Sequence, residues 1–507
     1  MEEWPSGYGA RLESAWEQSL AGSSPVSSAQ QMLTFKKTWW IMVLGAISCF
    51  INIDKTYLLI EDTARDSVRM IQIWQGKELT LIGPPASLGQ RSTREFYLGS
   101  LSYYLGIFGL FVTDFQVWGA IIGQVLIFVS SIPILYLVLR DHLKVKYPLL
   151  GTLIYAISPL TLTHMRFYWN PNAIIGFSTW FWYFILKKEA KISLIISGIL
   201  LGIIFNFHYF AAIPLFIYLI YLVFQRKFKS FGYSFFGVII GLSPTWIFEI
   251  RNHFYLTKTF WFNLQNNTSS AFNLTSVFES LYRFPLAILG IKPMEIGFSV
   301  ITSNALQIIL GIIFIISVVF CLKKLQKNER FFVILAIISS IIVGLISNGS
   351  YYGRYLFGLY PIFIFVIMKA FEKVRWVWII LMAFILIADY KIISFRPSPE
   401  INYINIDTLS KASFLIKSDV KNETYNLSEN IYGDAQARGL RYFVLKNVAK
   451  KPENDISYEH LDVLYVLTPS LEKTIKDHRY EFYVSNLTKV DWEENLGEVK
   501  LIKFIRK

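Results

Sequence analysis

The residues best suited to chemistry crowd into one short stretch. Glu61-Asp62-Thr63-Ala64-Arg65-Asp66 is followed by Arg69, Gln72 and Lys77-Glu78. Glu61, Arg65 and Arg69 stand four residues apart, so on a helix they share one face, and Asp62 and Asp66 share the adjacent one. Ile60, Val68 and Ile71 supply an apolar side, which predicts a short helix lying along a membrane surface. Carboxylates at such a spacing can accept protons or orient a nucleophile. The simpler alternative is a solvated amphipathic helix whose ion pairs contribute ~0.3–0.5 kcal/mol each. Asp62 with Asp66 or Glu61 could also bind a divalent metal, but two carboxylates without a third ligand make weak support, so no metal is assigned.

The elements that must hold this stretch belong to a membrane protein. Of 507 residues, 54% are hydrophobic and 17% charged, against about 25% charged in an ordinary soluble domain. Apolar runs near 38–53, 115–139, 147–163, 172–186, 192–206, 209–224, 232–248, 299–322, 331–347, 355–370 and 376–392 predict about eleven transmembrane helices. A further stretch, 96–112, is rich in Gly and Tyr and is expected to be re-entrant or interfacial. Alternate linkers carry basic clusters, such as Lys36-Lys37, Arg226-Lys227 with Lys229, and Lys323-Lys324 with Lys327 and Arg330, while the short linkers between them do not. By the positive-inside rule the basic set is cytoplasmic. The N-terminus is then cytoplasmic, and the loops 54–114 and 250–298 face outward across the plasma membrane, as does everything beyond about residue 394.

Residues 32–394 therefore form a polytopic all-α membrane domain. Residues 395–507 differ: charges are frequent and apolar runs shrink to strand length at His460–Leu467 and Val499–Ile505, with a helical pattern over Asp434–Lys446. This predicts a small C-terminal extracytoplasmic α/β domain. Residues 1–31 are polar, lack the features of a signal peptide and resemble a translated tRNA-gene segment. They are expected to be a disordered tail arising from a misassigned start, with Met32 the true first residue.

The net charge of +13 would suggest a polyanionic partner in a soluble protein. Here it sits on the cytoplasmic linkers, and the outer domain balances its acids and bases, so no nucleic acid partner is expected. Cys49 and Cys321 lie in apolar runs and do not suggest a disulfide framework. Motifs for zinc, nucleotide triphosphates or serine hydrolysis are missing from the sequence. A transporter or lipid flippase with an outer binding domain is the competing class, but charged residues are missing from the middle of every expected span, where ion coupling usually needs one.

A resemblance to a known family rests on an ordered set of motifs: Asp62-Thr63-Ala64-Arg65-Asp66, Leu81-Ile82-Gly83-Pro84, Phe96-Tyr97-Leu98-Gly99 with Tyr103-Tyr104, Ser158-Pro159-Leu160, Arg166 through Asn172, and Arg354-Tyr355 with Tyr360-Pro361. The chain resembles the polyprenyl-phosphate-sugar-dependent glycosyltransferases of the GT-C fold. The likeness is to the family 39 type, the branch related to protein O-mannosyltransferases and the lipid A aminoarabinose transferase. It implies transfer of one sugar, with inversion at C1, from a polyprenyl-phosphate donor to a glycan, lipid or protein acceptor at the outer membrane face. In that family an early acidic residue of the first outer loop acts on the acceptor, which maps to Asp62. The usual Asp-Glu order is inverted here, which leaves Glu61 and Asp66 as further catalytic candidates. Donor-phosphate contacts are expected from Arg354, which matches the family's Arg-Tyr…Tyr-Pro pattern, and from Arg166, Arg65 and His208.

Overall fold

The computed structural model describes residues 25–86, 95–187, 190–266, 274–294, 300–346, 352–396, 404–431, 436–476 and 480–506. Among these, the helices Val117–His142, Asn304–Leu322, Lys327–Ile346, Gly353–Ala370 and Arg375–Ser394 are long and apolar enough to cross a bilayer. Phe228–Gly241 and Ser243–Arg251 make a sixth, broken span bent by 61°. The break falls where Pro244 opens the second helix, since proline has no N–H for the preceding turn. Shorter apolar helices, including Ile174–Leu186, Lys191–Phe207 and Tyr209–Phe224, complete the bundle.

Two expected segments take other forms. The run 147–163 is divided into helices Pro148–Ile157 and Pro159–Met165, because the residue before a proline is pushed out of the helical region. Ser158 is extended there, and its Oγ accepts from Thr161 N at 3.1 Å, so one side chain restarts the helix. The stretch 96–112 is a short strand followed by the helix Leu101–Val112. The helix Pro25–Phe50 includes residues 25–31 of the expected tail; the rest of that tail lies outside the described residues.

Small residues let helices approach closely. A Cβ added at Gly198 would lie 1.8 Å from the Ser234 carbonyl oxygen, and one at Gly237 would lie 2.1 Å from that of Ile195. Lys191–Phe207 and Phe228–Gly241 thus cross backbone to backbone.

The helix Glu61–Gly76 is followed by an antiparallel hairpin of β1 (Ile82–Ala86) and β2 (Phe96–Gly99). The C-terminal residues form a sheet of β3 (Tyr425–Glu429), β4 (Val463–Thr468), β5 (Lys489–Asn495) and β6 (Lys500–Ile505) in the order β3-β4-β6-β5. β3 and β4 run parallel, and the other pairs are antiparallel. β4, β6 and the helix Arg438–Asn447 fall within a few residues of the expected segments.

That helix docks against the first outer loop. Gln75 Nε2 donates to the Leu445 carbonyl at 3.0 Å, Tyr442 Oη to that of Phe115 at 2.9 Å, and Lys446 Nζ to that of Asp114 at 2.8 Å. The acceptors at 114 and 115 belong to a turn with positive φ at both residues.

Candidate functional site

The helix Glu61–Gly76 opens with two acids in its first turn, where the backbone N–H groups are unpaired and the dipole favours negative charge. Thr63 Oγ1 donates to the Tyr168 carbonyl at 2.9 Å, which fastens this helix to the turn after Met165. Arg65 then organises the acids. Its Nη1 meets Asp62 Oδ1 at 2.7 Å and its Nη2 meets Asp66 Oδ1 at 2.8 Å.

The two aspartates are not equivalent. The Asp66 side chain is 1% exposed and that of Asp62 is 44% exposed. Burial pushes the Asp66 carboxyl up to about 6, against the pull of the Arg65 charge. Burial also opposes the Arg65 charge, but Asp66 and Asp62 more than offset it and hold the guanidinium protonated. Asp62 is thus an oriented, water-accessible carboxylate, and Asp66 is the buried group behind it.

Glu61 shares a helix face with Arg65 by spacing, yet its ion-pair partner is Arg438 of the C-terminal helix Arg438–Asn447, at 3.5 Å. Arg438 also approaches Asp455 at 3.7 Å, and Arg69 pairs with Glu78 at 3.0 Å. Between the 61–85 segment and the C-terminal residues lies a polar cavity of about 540 Å³. Arg65, Arg69, Gln72 and Tyr103 line one side, and Arg438, Arg441, Asn454 and Asp455 the other. Sequence reasoning missed the second set. The helical pattern over 434–446 was visible, but no local signal says that this helix packs on one some 370 residues earlier.

A second cluster forms around Arg354, in the short helix Gly353–Leu359. Its guanidinium carbon lies 4.9 Å from the Trp169 ring centre, 4.8 Å from that of Tyr352 and 5.4 Å from that of Tyr355. Such stacking fixes a planar cation while leaving its edge for hydrogen bonds. Tyr355 stacks 5.0 Å from His208 and 4.7 Å from Phe210. Phe210 in turn lines an apolar cavity of about 450 Å³ with Phe96, Tyr97, Phe205, Phe216 and Trp246. Tyr97 lines both cavities, so the polar and apolar spaces share a wall at β2.

Arg166 stands elsewhere. It donates to the Ser48 and Cys49 carbonyls at 2.9 and 3.2 Å and to Thr56 Oγ1, tying the end of the first helix to the outer loop. His164 is buried, with Nδ1 2.9 Å from Asn172 Oδ1. Among the described residues, no three His, Cys, Asp or Glu side chains converge as metal ligands.

Residues 101–248 match the family model of dolichyl-phosphate-mannose-protein mannosyltransferases. The whole chain is similar in structure to apo ArnT from Cupriavidus metallidurans, with a TM-score of 0.60 over 92% of this chain and 97% of that one, at 9% identity. The chain has the fold of the GT-C membrane glycosyltransferases. The same ArnT bound to undecaprenyl phosphate aligns with a TM-score of 0.49, at 10% identity, over 92% of this chain and 98% of that one. The oligosaccharyltransferase AglB from Archaeoglobus fulgidus, in complex with an inhibitory peptide and a dolichol-phosphate, aligns with a TM-score of 0.46, at 9% identity, over 85% of this chain and 70% of that one. No curated protein matches the chain significantly by sequence. Within the GT-C fold, the family match covers the helices behind the site, whereas Asp62, Arg354 and the outer-domain arginines lie beyond it.

Proposed function

We propose that the chain transfers a sugar from a polyprenyl-phosphate donor to an acceptor at the outer face of the plasma membrane. The observation that carries this reading is that two unlike cavities, one apolar and one polar, lie side by side with Tyr97 as their common wall. A donor with a hydrocarbon tail and a sugar head needs both. The tail would lie among Phe96, Phe205, Phe210 and Trp246. Its phosphate would sit near Arg354 and His208, which reach the apolar cavity through Tyr355 and Phe210. The sugar would then project past Tyr97 toward the first outer loop.

Asp62 is the proposed base. An acceptor hydroxyl attacks C1 of the sugar from the face opposite the phosphate, and Asp62 takes its proton. The bond from C1 to the phosphate oxygen breaks, the electron pair leaves with the polyprenyl phosphate, and the Arg354 guanidinium stabilises the charge that develops. The configuration at C1 inverts. Asp66 and Arg65 hold Asp62 in place, and Glu61 faces the outer domain beside it. Arg166 is assigned to shaping the outer loop and not to the phosphate, because its guanidinium already serves the 48–56 segment.

The reading includes a topology of about eleven spans, with a cytoplasmic N-terminus and residues 395–507 outside as a separate α/β domain. The test is a panel of radiolabelled polyprenyl-phosphate sugars offered to the purified protein in proteoliposomes with envelope extract as acceptor source. Label should move to an acceptor from one donor, with release of polyprenyl phosphate. If no donor is consumed above the level of empty liposomes, the reading fails.

A further inference from the structure

We propose that the polar cavity takes an uncharged carbohydrate as acceptor, with Asp455 and Asn454 of the outer domain and Gln72 of the first outer loop selecting it. The proposal deepens the transfer reading above and rests on it for the word acceptor. Three observations support it.

The first is size. About 540 Å³ falls in the range of sites for multi-ring ligands and exceeds what one sugar fills. The second is charge. Four arginines line the cavity, but each is already engaged on its walls. Arg65 holds Asp62 and Asp66, Arg69 holds Glu78, and Arg438 lies between Glu61 and Asp455. Arg441 donates to Asn426 Oδ1 at 2.6 Å and to the Glu453 carbonyl at 2.7 Å. Only Glu453 and Asp455 are acidic among the lining residues, but with the partners behind them, Glu61, Asp62, Asp66 and Glu78, carboxylates outnumber the four guanidinium groups. A phosphorylated or carboxylated acceptor would have to displace one of these carboxylates from its arginine, or the two neutral oxygens that Arg441 already serves. A hydroxyl does not, because it both donates and accepts.

The third is the character of what remains. Gln72 and Asn454 are exposed amides on opposite walls. Each offers a donor and an acceptor on one planar group, the pattern that paired hydroxyls on a sugar ring can satisfy together. Asp455 is held by Arg438 at 3.7 Å, a loose contact. It keeps lone pairs for further hydrogen bonds, and charge-assisted bonds of this kind are the strong ones.

The experiment uses the full chain in lipid nanodiscs and measures binding by saturation-transfer NMR. The probes are maltotriose, the acidic trisaccharide trigalacturonate and a Ser/Thr-rich peptide. Maltotriose should bind best, with trigalacturonate about tenfold weaker. Asp455→Ala and Gln72→Ala should each weaken maltotriose about tenfold, as the loss of one such hydrogen bond predicts, while melting within a few degrees of the parent. Gln72 lies on an exposed helix face, so its variant serves even if Asp455→Ala folds poorly. Tighter binding of trigalacturonate or of the peptide, or wild-type maltotriose binding in both variants, overturns the proposal. If sugar moves from a donor to a peptide or lipid while maltotriose does not bind, the proposal alone falls. If maltotriose binds but no polyprenyl-phosphate sugar is ever consumed, the transfer reading falls and the saccharide site stands.

Discussion

Asp62 and Asp66 show how position separates two identical side chains. Both bond Arg65, but water reaches only Asp62. Asp62→Asn should lower transfer by roughly 10²–10⁴-fold with little change in melting temperature, and Glu61→Gln should cost less; comparing initial rates in proteoliposomes decides between them. Asp66 carries the pH dependence. Its folded carboxyl titrates near 6, above the ordinary 3.8. The folded state therefore binds the extra proton, so Asp66 favours folding most at acid pH, and this contribution is lost as pH rises through 6. Asp66→Asn should flatten the decline in melting temperature between pH 4 and 7; an unchanged slope would show that another group is responsible. Arg354→Lys should raise the donor KM about tenfold, because an ammonium cannot stack flat against Trp169, Tyr352 and Tyr355. The charged residues of the 61–78 stretch were legible in the sequence, but which aspartate is buried was not, since Tyr57, Tyr103 and Tyr168, which lie near Asp66, come from other segments.

Elements follow local rules where the sequence is emphatic. The Ser158-Pro159 break comes from the restriction that a proline puts on the residue before it, the kink at Pro244 from its missing N–H, and most apolar runs mark helices within a few residues. What local rules do not give is how closely two helices pass. Gly198 and Gly237 could have been mere helix weaknesses, each costing about 1 kcal/mol against alanine. In the bundle they are contact points with no room for a methyl group. Gly198→Val should therefore destabilise the protein by about 1–3 kcal/mol or more, seen as a lower melting temperature in detergent, while Gly232→Val, where a Cβ meets nothing within 4 Å, should leave it nearly unchanged. The hairpin is equally intolerant, since a Cβ at Gly83 would lie 2.1 Å from the Gly99 carbonyl oxygen.

For the molecule as a whole, the C-terminal residues complete the polar cavity. They close one of its walls and are fastened by Tyr442 and Lys446 to the 114–115 turn. The double variant Tyr442→Phe with Lys446→Ala should loosen that docking, and hydrogen exchange over residues 61–76 should rise, because local opening depends on such contacts. Unchanged exchange there would mean that the apolar contacts of the Arg438–Asn447 helix suffice. The sequence by itself determined the membrane class, most of the helices, two of the four strands of the C-terminal sheet and the charged first loop, because these depend on hydropathy and spacing, which act over a few residues. Only the tertiary structure decided that Asp66 is buried and Asp62 open, that Arg166 is engaged by the 48–56 segment, and that Glu61 meets Arg438. Those outcomes rest on contacts between segments that are distant in the chain, and no local pattern encodes which distant surface will exclude water from a given side chain.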